Sequence, residues 1–524
     1  MQSTSKNHQP RFSAIIIHWN TPDLLRKLLE KLPVSDDLEV IVVDNNSSES
    51  LDKLKKTFDA VRWIEQPNNS GFAAAGNRGA AVAQGEWLVF LNADVDVSPE
   101  TLQTWLSQTQ QNHWLASSPH STSDGYALPL LTPVSMLFEY TPLTKVKKML
   151  GSRHQTLTGG LLLVRSDTFR ELGGWDERFF LWFEDSDLTL RLEQKQVPHG
   201  FVPLVVQHLG GSSFKSWDSQ QRRDIFFHAL EVFARKHWNA VGIWLACQIR
   251  QHYSKRLVLP ALCTPVTVVV PNVKLELLES FLSSHASLVS DSAIELCAVT
   301  SAFNSEKLWD FRRQYPTVRF ISIHKNMGFA HTVNIGLRVG RSPWAATVND
   351  DVLLENNVFM QLRTAANDKK VASISPVVLT KTGAVESTGI TVLPRGKAVP
   401  VTQIPAATVQ TDANNGACML FNQEALNQVG LFDESFESYL EDVDLSLRFS
   451  KNGWLNLVEP SISITHFQHQ TSASNSAHKK ALDVKNWWRI LYKHWPLERW
   501  IRFGFAIMME RLRNISGYAK ELAK

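Results

Sequence analysis

Two acidic motifs recur in this chain at one spacing. Asp94 in FLNADV and Asp351 in TVNDDV lie 257 residues apart (351 − 94 = 257), and Asp185 in FEDSDLTLRL and Asp442 in LEDVDLSLRF keep the same shift. Glu184 and Glu441 precede the second pair, and His208 in VVQHLGG and His466 in SITHFQH follow it. Asp44 in VVDNNSS has no acidic counterpart, because the matching position in AVTSAFN is Thr300. Carboxylates of this kind hold a hard divalent cation such as Mg²⁺ or Mn²⁺, or take a proton from a hydroxyl, and a histidine can complete a metal site.

The elements that must position these groups are duplicated as well. The shift of 257 pairs Gly71 with Gly328, Asn77 with Asn334, Gly159 with Gly416, and KHW at 236–238 with KHW at 493–495. One offset held over so many separated positions marks an internal repeat. The units run from Phe12 to Arg256 and from Pro265 to the carboxyl terminus, joined around LPALCTP with Pro260 and Pro265. Within the first unit, Ala14–Ile17 and Val40–Val43 read as short β-branched strands. TPDLLRKLLEKL between them reads as a helix with Thr21 as cap and Pro22 in the first turn. GFAAAGNRGAAVAQG reads as a further helix leading to the strand WLVFL. Strands alternating with helices predict an α/β class, with two Rossmann-like, mostly parallel sheets in tandem. Ligands of such sheets collect at the carboxyl ends of strands, where Asp44 and Asp94 fall.

Composition narrows the partners. Lys plus Arg (54) nearly balances Asp plus Glu (51), so the net charge of +3 argues against a nucleic-acid partner. Four scattered cysteines without a CxxC pair indicate neither a zinc knuckle nor a disulfide framework. The start MQSTSKNHQPRF lacks the apolar core of a signal peptide, and no apolar run is long enough to span a bilayer, so a cytoplasmic location is expected.

The ordered series IIIHWN, VVDNNSS, NNSGFAAAGNRG, FLNADV, TGGLLLVRSDTFRELGGWDERFF, FEDSDLTLRL and VVQHLGGSS resembles the family 2 glycosyltransferases with the GT-A fold, particularly their bacterial rhamnosyltransferase-like branch. The resemblance covers nearly the whole chain, twice. It implies an inverting, metal-dependent transferase that moves a hexosyl or deoxyhexosyl group from a nucleotide sugar, UDP- or dTDP-linked, to a lipid-linked or polymeric bacterial surface glycan such as O antigen or capsule. It assigns Asn20, Asp44, Gly71, Asn77 and Asp94 to the nucleotide sugar in the first unit, and Gly328, Asn334 and Asp351 in the second. The metal, Mg²⁺ or Mn²⁺, falls to Asp94 with His208 and to Asp351 with His466. Asp94 is preferred over Asp96, which Leu353 replaces in the second unit. Asp185 and Asp442 become general bases, supported by Glu184 and Glu441.

Plainer readings stand beside these. DNNSS is also a common turn, and FEDSDLTLRL also suits an acidic helix start. Gly159-Gly160 is read either as a turn or as a close approach of backbone to a ligand, and Trp175 and Trp182 either as core or as sugar-stacking rings. Thr300 leaves open a second unit with a different donor, or a degenerate glycan-binding one. A scaffold without turnover and a nucleotide-sugar pyrophosphorylase are the readings from other classes; the latter lacks its glycine- and lysine/arginine-rich loop. Sugar specificity is placed in loops such as Ser117–Gln155.

From His478 onward the tail has 11 Lys/Arg against 4 Asp/Glu. Trp487, Trp488, Trp495 and Trp500 are interleaved with those charges. Leu497, Ile501, Phe505, Met508, Leu512 and Ile515 recur at helical spacing. A basic amphipathic helix with Trp suits peripheral contact with the inner face of an anionic membrane; the alternative is docking of the stripe on the catalytic domain.

Overall fold

The β-branched runs FSAIIIH and LEVIVVD form β1 (Phe12–His18) and β2 (Leu38–Asp44), buried along almost their full length. Apolar residues on both faces of a strand require cover on both sides, which is the pattern of a parallel sheet between helices. In this computed structural model, residues 9–121, 132–139, 155–210, 217–254, 264–467 and 476–522 are described. The join at Pro260 and much of the Ser117–Gln155 segment lie outside them.

The connecting helix spans Pro22–Lys31. Thr21 does precede it, but its hydroxyl makes no capping bond. Its backbone N–H donates to His18 Nε2 instead (3.1 Å), so proline at the first turn rather than a hydroxyl cap starts the helix.

The first unit continues with β3 (Arg62–Glu65), β4 (Trp87–Asn92), β5 (Ala116–Ser121), β6 (Leu161–Arg165) and β7 (His199–Val206). The strand order is β3-β2-β1-β4-β6-β5-β7. Neighbours are parallel except for β6, which is antiparallel to both β4 and β5. The chain runs outward on opposite sides of β1 and β4, and that divergence opens a crevice at their carboxyl ends.

The second unit repeats the plan. Its strands are β8 (Val266–Asn272), β9 (Ile294–Thr300), β10 (Arg319–Ser322), β11 (Trp344–Val348), β12 (Val352–Leu354), β13 (Val371–Thr380), β14 (Val385–Ser387), β15 (Ile390–Val392), β16 (Ala398–Pro400), β17 (Val409–Gln410), β18 (Cys418–Asn422) and β19 (Leu455–His466). The order β10-β9-β8-β11-β18-β13-β19 matches the first sheet strand for strand, and β12 adds an edge beside β19. β14 pairs with β13, β17 with β19, and β15 with β16 in a separate ribbon.

By their contacts, one unit comprises residues 1–256 with 304–317 and the other 257–303 with 318–524. Each ends in two helices, Ser219–His237 and Ala240–Tyr253 in the first, Ser476–His494 and Leu497–Leu522 in the second. Among the described residues no helix is long and apolar enough to cross a membrane.

Candidate active site

At the carboxyl end of the first sheet the register places His18 beside Asp44. His18 Nδ1 lies 3.1 Å from Asp44 Oδ1, and the Ser47 hydroxyl donates to the same oxygen (2.6 Å). Burial alone would raise the Asp44 carboxyl, but the bonds from His18 and Ser47 outweigh it and hold it below its ordinary value. Asp44 is therefore an ionised acceptor in the crevice. Asn20 shapes the wall of that crevice: its backbone N–H donates to Ser47 Oγ (2.9 Å) and its Oδ1 accepts from the Ser48 N–H (2.8 Å).

The same register in the second unit pairs Asn272 with Thr300. Thr300 Oγ1 donates to Asn272 Oδ1 (2.9 Å), and Asn272 Nδ2 donates to Asp350 (2.6 Å). Burial, with the charge of Asp351 adding to it, pushes the Asp350 carboxyl up to about 6 against the pull of Asn272. Where the first unit has Ala93, the second thus brings in a carboxylate beside its sheet end.

Asp94 follows β4 and meets His208 through an isolated bridge between Val95 and His208, with Nε2 3.1 Å from Asp94 Oδ1. Asn92 Nδ2 also lies 3.3 Å from that nitrogen. Asp351 meets His466 because Val352 pairs with His466 in the β12–β19 ladder, with Nε2 3.3 Å from Asp351 Oδ1. Asp96 turns elsewhere, to an exposed ion pair with Lys31 (2.6 Å). Among the described residues no group of three or more His, Cys, Asp or Glu is arranged to hold a metal. One carboxylate and one imidazole per unit still fit a hard cation that takes its remaining ligands from substrate phosphates and water, as Mg²⁺ sites do.

The acidic pair begins the helices Glu184–Gln194 and Glu441–Lys451. In both units the two residues before the helix adopt left-handed backbone: Trp182 (φ 69°) and Phe183 (φ 68°), Tyr439 (φ 70°) and Leu440 (φ 66°). Such conformations cost about 1–3 kcal/mol each at non-glycine residues and concentrate where a site requires them. They turn the helix start toward the crevice. Asp185 accepts from the Ser186 N–H (2.7 Å), and Asp442 accepts from the Gly416 N–H (2.9 Å) and the Val443 N–H (2.8 Å). Burial pushes Asp185 up to about 6 and raises Asp442 as well. Glu184 and Glu441 are buried, and the Oε2 of each has no hydrogen-bond partner. Burial, and then the adjacent aspartate, raises both above the ordinary carboxylate range.

In the second unit these groups line one cavity of ≈ 1220 Å³ that includes Gly328, Asp350, Asp351, Glu386, Asp442 and His466. Gly71 (φ +84°) and Gly328 (φ +94°) act on the same geometry from behind. A Cβ at Gly71 would lie 2.4 Å from the Phe180 carbonyl and one at Gly328 2.7 Å from the Glu437 carbonyl, so glycine lets each helix start close against the loop that presents the acidic pair.

Asn77 and Asn334 are not brought to the crevice, which corrects their placement with the donor. Both are fully buried. Asn77 Nδ2 donates to the Trp175 carbonyl (2.9 Å) and Glu177 (2.8 Å) while its Oδ1 accepts from the Trp175 N–H (2.9 Å). Asn334 makes the same set with Phe432 and Glu434. Their amides are spent on clamping helix to loop. Trp175 is core, edge-on to Phe90 with ring centroids 5.1 Å apart.

Three features escaped the sequence reading. Glu386 carries no motif of its own and meets His466 only through strand pairing, and His18, though within IIIHWN, likewise reaches Asp44 through strand register. Asp187 and Asp444, the third acids of the helix starts, explain the repeated KHW: Asp187 pairs with Arg191, Lys236 and His237, and Asp444 with Arg448, Lys493 and His494. The co-repetition of KHW with the acidic motif was the available signal.

Comparison with known proteins follows this geometry. The Glycosyl transferase family 2 model matches residues 13–173, and the Glycosyltransferase like family 2 model matches residues 264–482. A Mycobacterium tuberculosis N-acetylglucosaminyl-diphospho-decaprenol L-rhamnosyltransferase is 27% identical over 274 residues, 44% of this chain and 86% of the relative. The rhamnosyltransferase WbbL of Escherichia coli is 25% identical over 210 residues, 36% of this chain and 79% of its own. The O-antigen biosynthesis protein RfbC of Myxococcus xanthus is 31% identical over 213 residues, 35% of this chain and 16% of its own. With the two matched segments together spanning more than half of its length, the chain belongs to glycosyltransferase family 2 and carries two such domains in tandem.

Proposed function

We propose that each repeat, residues 12–256 and 265–524, is an inverting transferase, and that the two act in sequence on one growing bacterial surface glycan. The observation that carries the reading is the double occurrence of an aspartate–histidine pair and a half-buried aspartate at a helix start preceded by left-handed backbone, in sheets of the same order. Asp94 with His208, and Asp351 with His466, would hold Mg²⁺ or Mn²⁺, which when bound offsets charge on a departing diphosphate. Asp185 and Asp442 take the proton of the acceptor hydroxyl as it attacks the anomeric carbon from the face opposite the leaving group. Glu184 and Glu441, buried beside the base, support it. Asp44 accepts hydrogen bonds from the nucleobase.

The relatives named above support a deoxyhexose donor and a lipid-linked acceptor of the O-antigen type; the donor is taken as dTDP- or UDP-linked, and a polymeric or capsule acceptor is the alternative. One observation favours a second reading, in which the second domain only binds glycan: Thr300 in place of Asp44. The intact Asp351, His466 and Asp442 geometry weighs against it, and the Asn272–Asp350 pair favours a different donor. A screen of nucleotide sugars with a lipid-linked acceptor tests the proposal, run with and without a chelator. Transfer is expected only with metal present; full activity in chelator would remove the metal assignment.

The tail bears on the location proposed. Leu497, Ile501 and Phe505 are more than 70% exposed, and Met508, Leu512 and Ile515 continue the same open stripe, while Ile507 on another face is buried. The stripe is thus not docked on the catalytic unit, and the surrounding Lys and Arg match an anionic lipid surface. The open stripe and its basic surroundings support a peripheral location on the cytoplasmic face of the membrane. In flotation with phosphatidylglycerol vesicles the chain should rise with the lipid, and Phe505→Glu should stay behind. Equal recovery of both with the vesicles would contradict the assignment.

A further inference from the structure

Glu386 belongs to none of the repeated motifs, yet it faces the second candidate metal site. β13 runs beside β19 with Thr380 paired to His466, and β13 turns back into β14 with Val378 paired to Ser387. This ladder sets Glu386 against the imidazole of His466. Glu386 Oε2 and Oε1 lie 3.1 and 3.3 Å from His466 Nδ1, whereas Nε2 of the same ring lies 3.3 Å from Asp351. Only 15% of the His466 side chain and 19% of that of Glu386 are exposed, and both line the large cavity.

An imidazole that gives the lone pair of one nitrogen to a cation must carry its proton on the other. The acceptor of that proton sets both the tautomer and the ring orientation. We propose that Glu386 is a positioning residue for the second site: it accepts the Nδ1–H of His466 and aims Nε2, together with Asp351, at one divalent cation. This rests on the reading of Asp351 and His466 as metal-holding groups. Glu386 does not itself touch the cation, because it lies against the ring nitrogen that faces away from Asp351. His208 in the first unit is met on its Nε2 side by Asp94 and by the Asn92 amide.

The test uses the full chain with Asp94→Asn in every protein, so that the first site is removed, and titrates Mn²⁺ alone while free Mn²⁺ is followed by electron paramagnetic resonance. Glu386→Ala is expected to weaken binding by about 10- to 100-fold. Glu386→Gln, whose carboxamide oxygen still accepts from Nδ1–H, is expected to lose less. Asp351→Asn serves as the control and should abolish binding. If Asp351→Asn abolishes binding and Glu386→Ala weakens it less than about threefold, against the loss expected for such a residue, the role of Glu386 is refuted and the metal reading stands. If Asp351→Asn leaves binding unchanged, the metal reading itself fails. Should Glu386→Ala not fold, ¹⁵N spectra of histidine-labelled protein with Mg²⁺ decide, the His466 signal being assigned by His466→Asn. A proton on Nδ1 supports the proposal, and a proton on Nε2 overturns it.

Discussion

Asp185→Asn and Asp442→Asn should each stop the glycan product at a different length. A positioned general base contributes about 10²- to 10⁴-fold to a proton transfer, and asparagine keeps the shape while removing the proton acceptor. The two substitutions should therefore act on separate steps, with the other unit still active. Melting temperatures should change little, since burial disfavours a charged carboxyl at both positions. The pH profile provides an independent sign. The folded pKa of Asp185 lies above the ordinary 3.8, at about 6, so the base form is present above that value and is lost as pH falls through it. The first transfer should accordingly decline about tenfold per unit below pH 6. A parent-like product from Asp442→Asn would show that the second unit does not catalyse.

Asp444→Ala should be among the most destabilising single changes in the second unit. The carboxylate is fully buried and accepts from Arg448 (2.9 Å) and His494 (2.8 Å), with Lys493 at 2.7 Å. Removing it leaves buried or half-buried cations facing one another, and breaking such a cluster from one side costs about 3–5 kcal/mol. Burial would raise the Asp444 carboxyl, but His494, Arg448 and Lys493 hold it well below the usual range. A depressed folded pKa means stability present above the unfolded value near 3.8 and lost as pH falls below it. Urea unfolding near neutrality should show the loss in the transition of the second unit, with Asp187→Ala doing the same in the first. A change under about 0.5 kcal/mol, the range of ordinary surface substitutions, would mean the cluster does not hold the helices Glu441–Lys451 and Ser476–His494 together.

Residues whose role depends on local type and repetition were legible before any coordinates. The strands read over Ala14–Ile17 and Val40–Val43 and the helix from Gly71 follow from β-branched runs and helical spacing, and the acids Asp94, Asp185, Asp351 and Asp442 stand out by one offset. Asn77 and Asn334 were misplaced for the same reason: repetition marks a position as needed without saying whether it faces a ligand or a buried loop. Their full set of internal hydrogen bonds is visible only once helix and loop are packed.

The sequence by itself determined that the chain is two copies of one α/β domain whose ordered motifs resemble glycosyltransferase family 2, because hydrophobic period and motif order are written locally along the chain. Only the tertiary structure decided which groups meet. His18 reaches Asp44, His466 reaches Asp351 and Glu386, and KHW reaches the third acid of each helix start. These contacts are set by strand register and helix packing between residues far apart in sequence, and no local pattern encodes such distances.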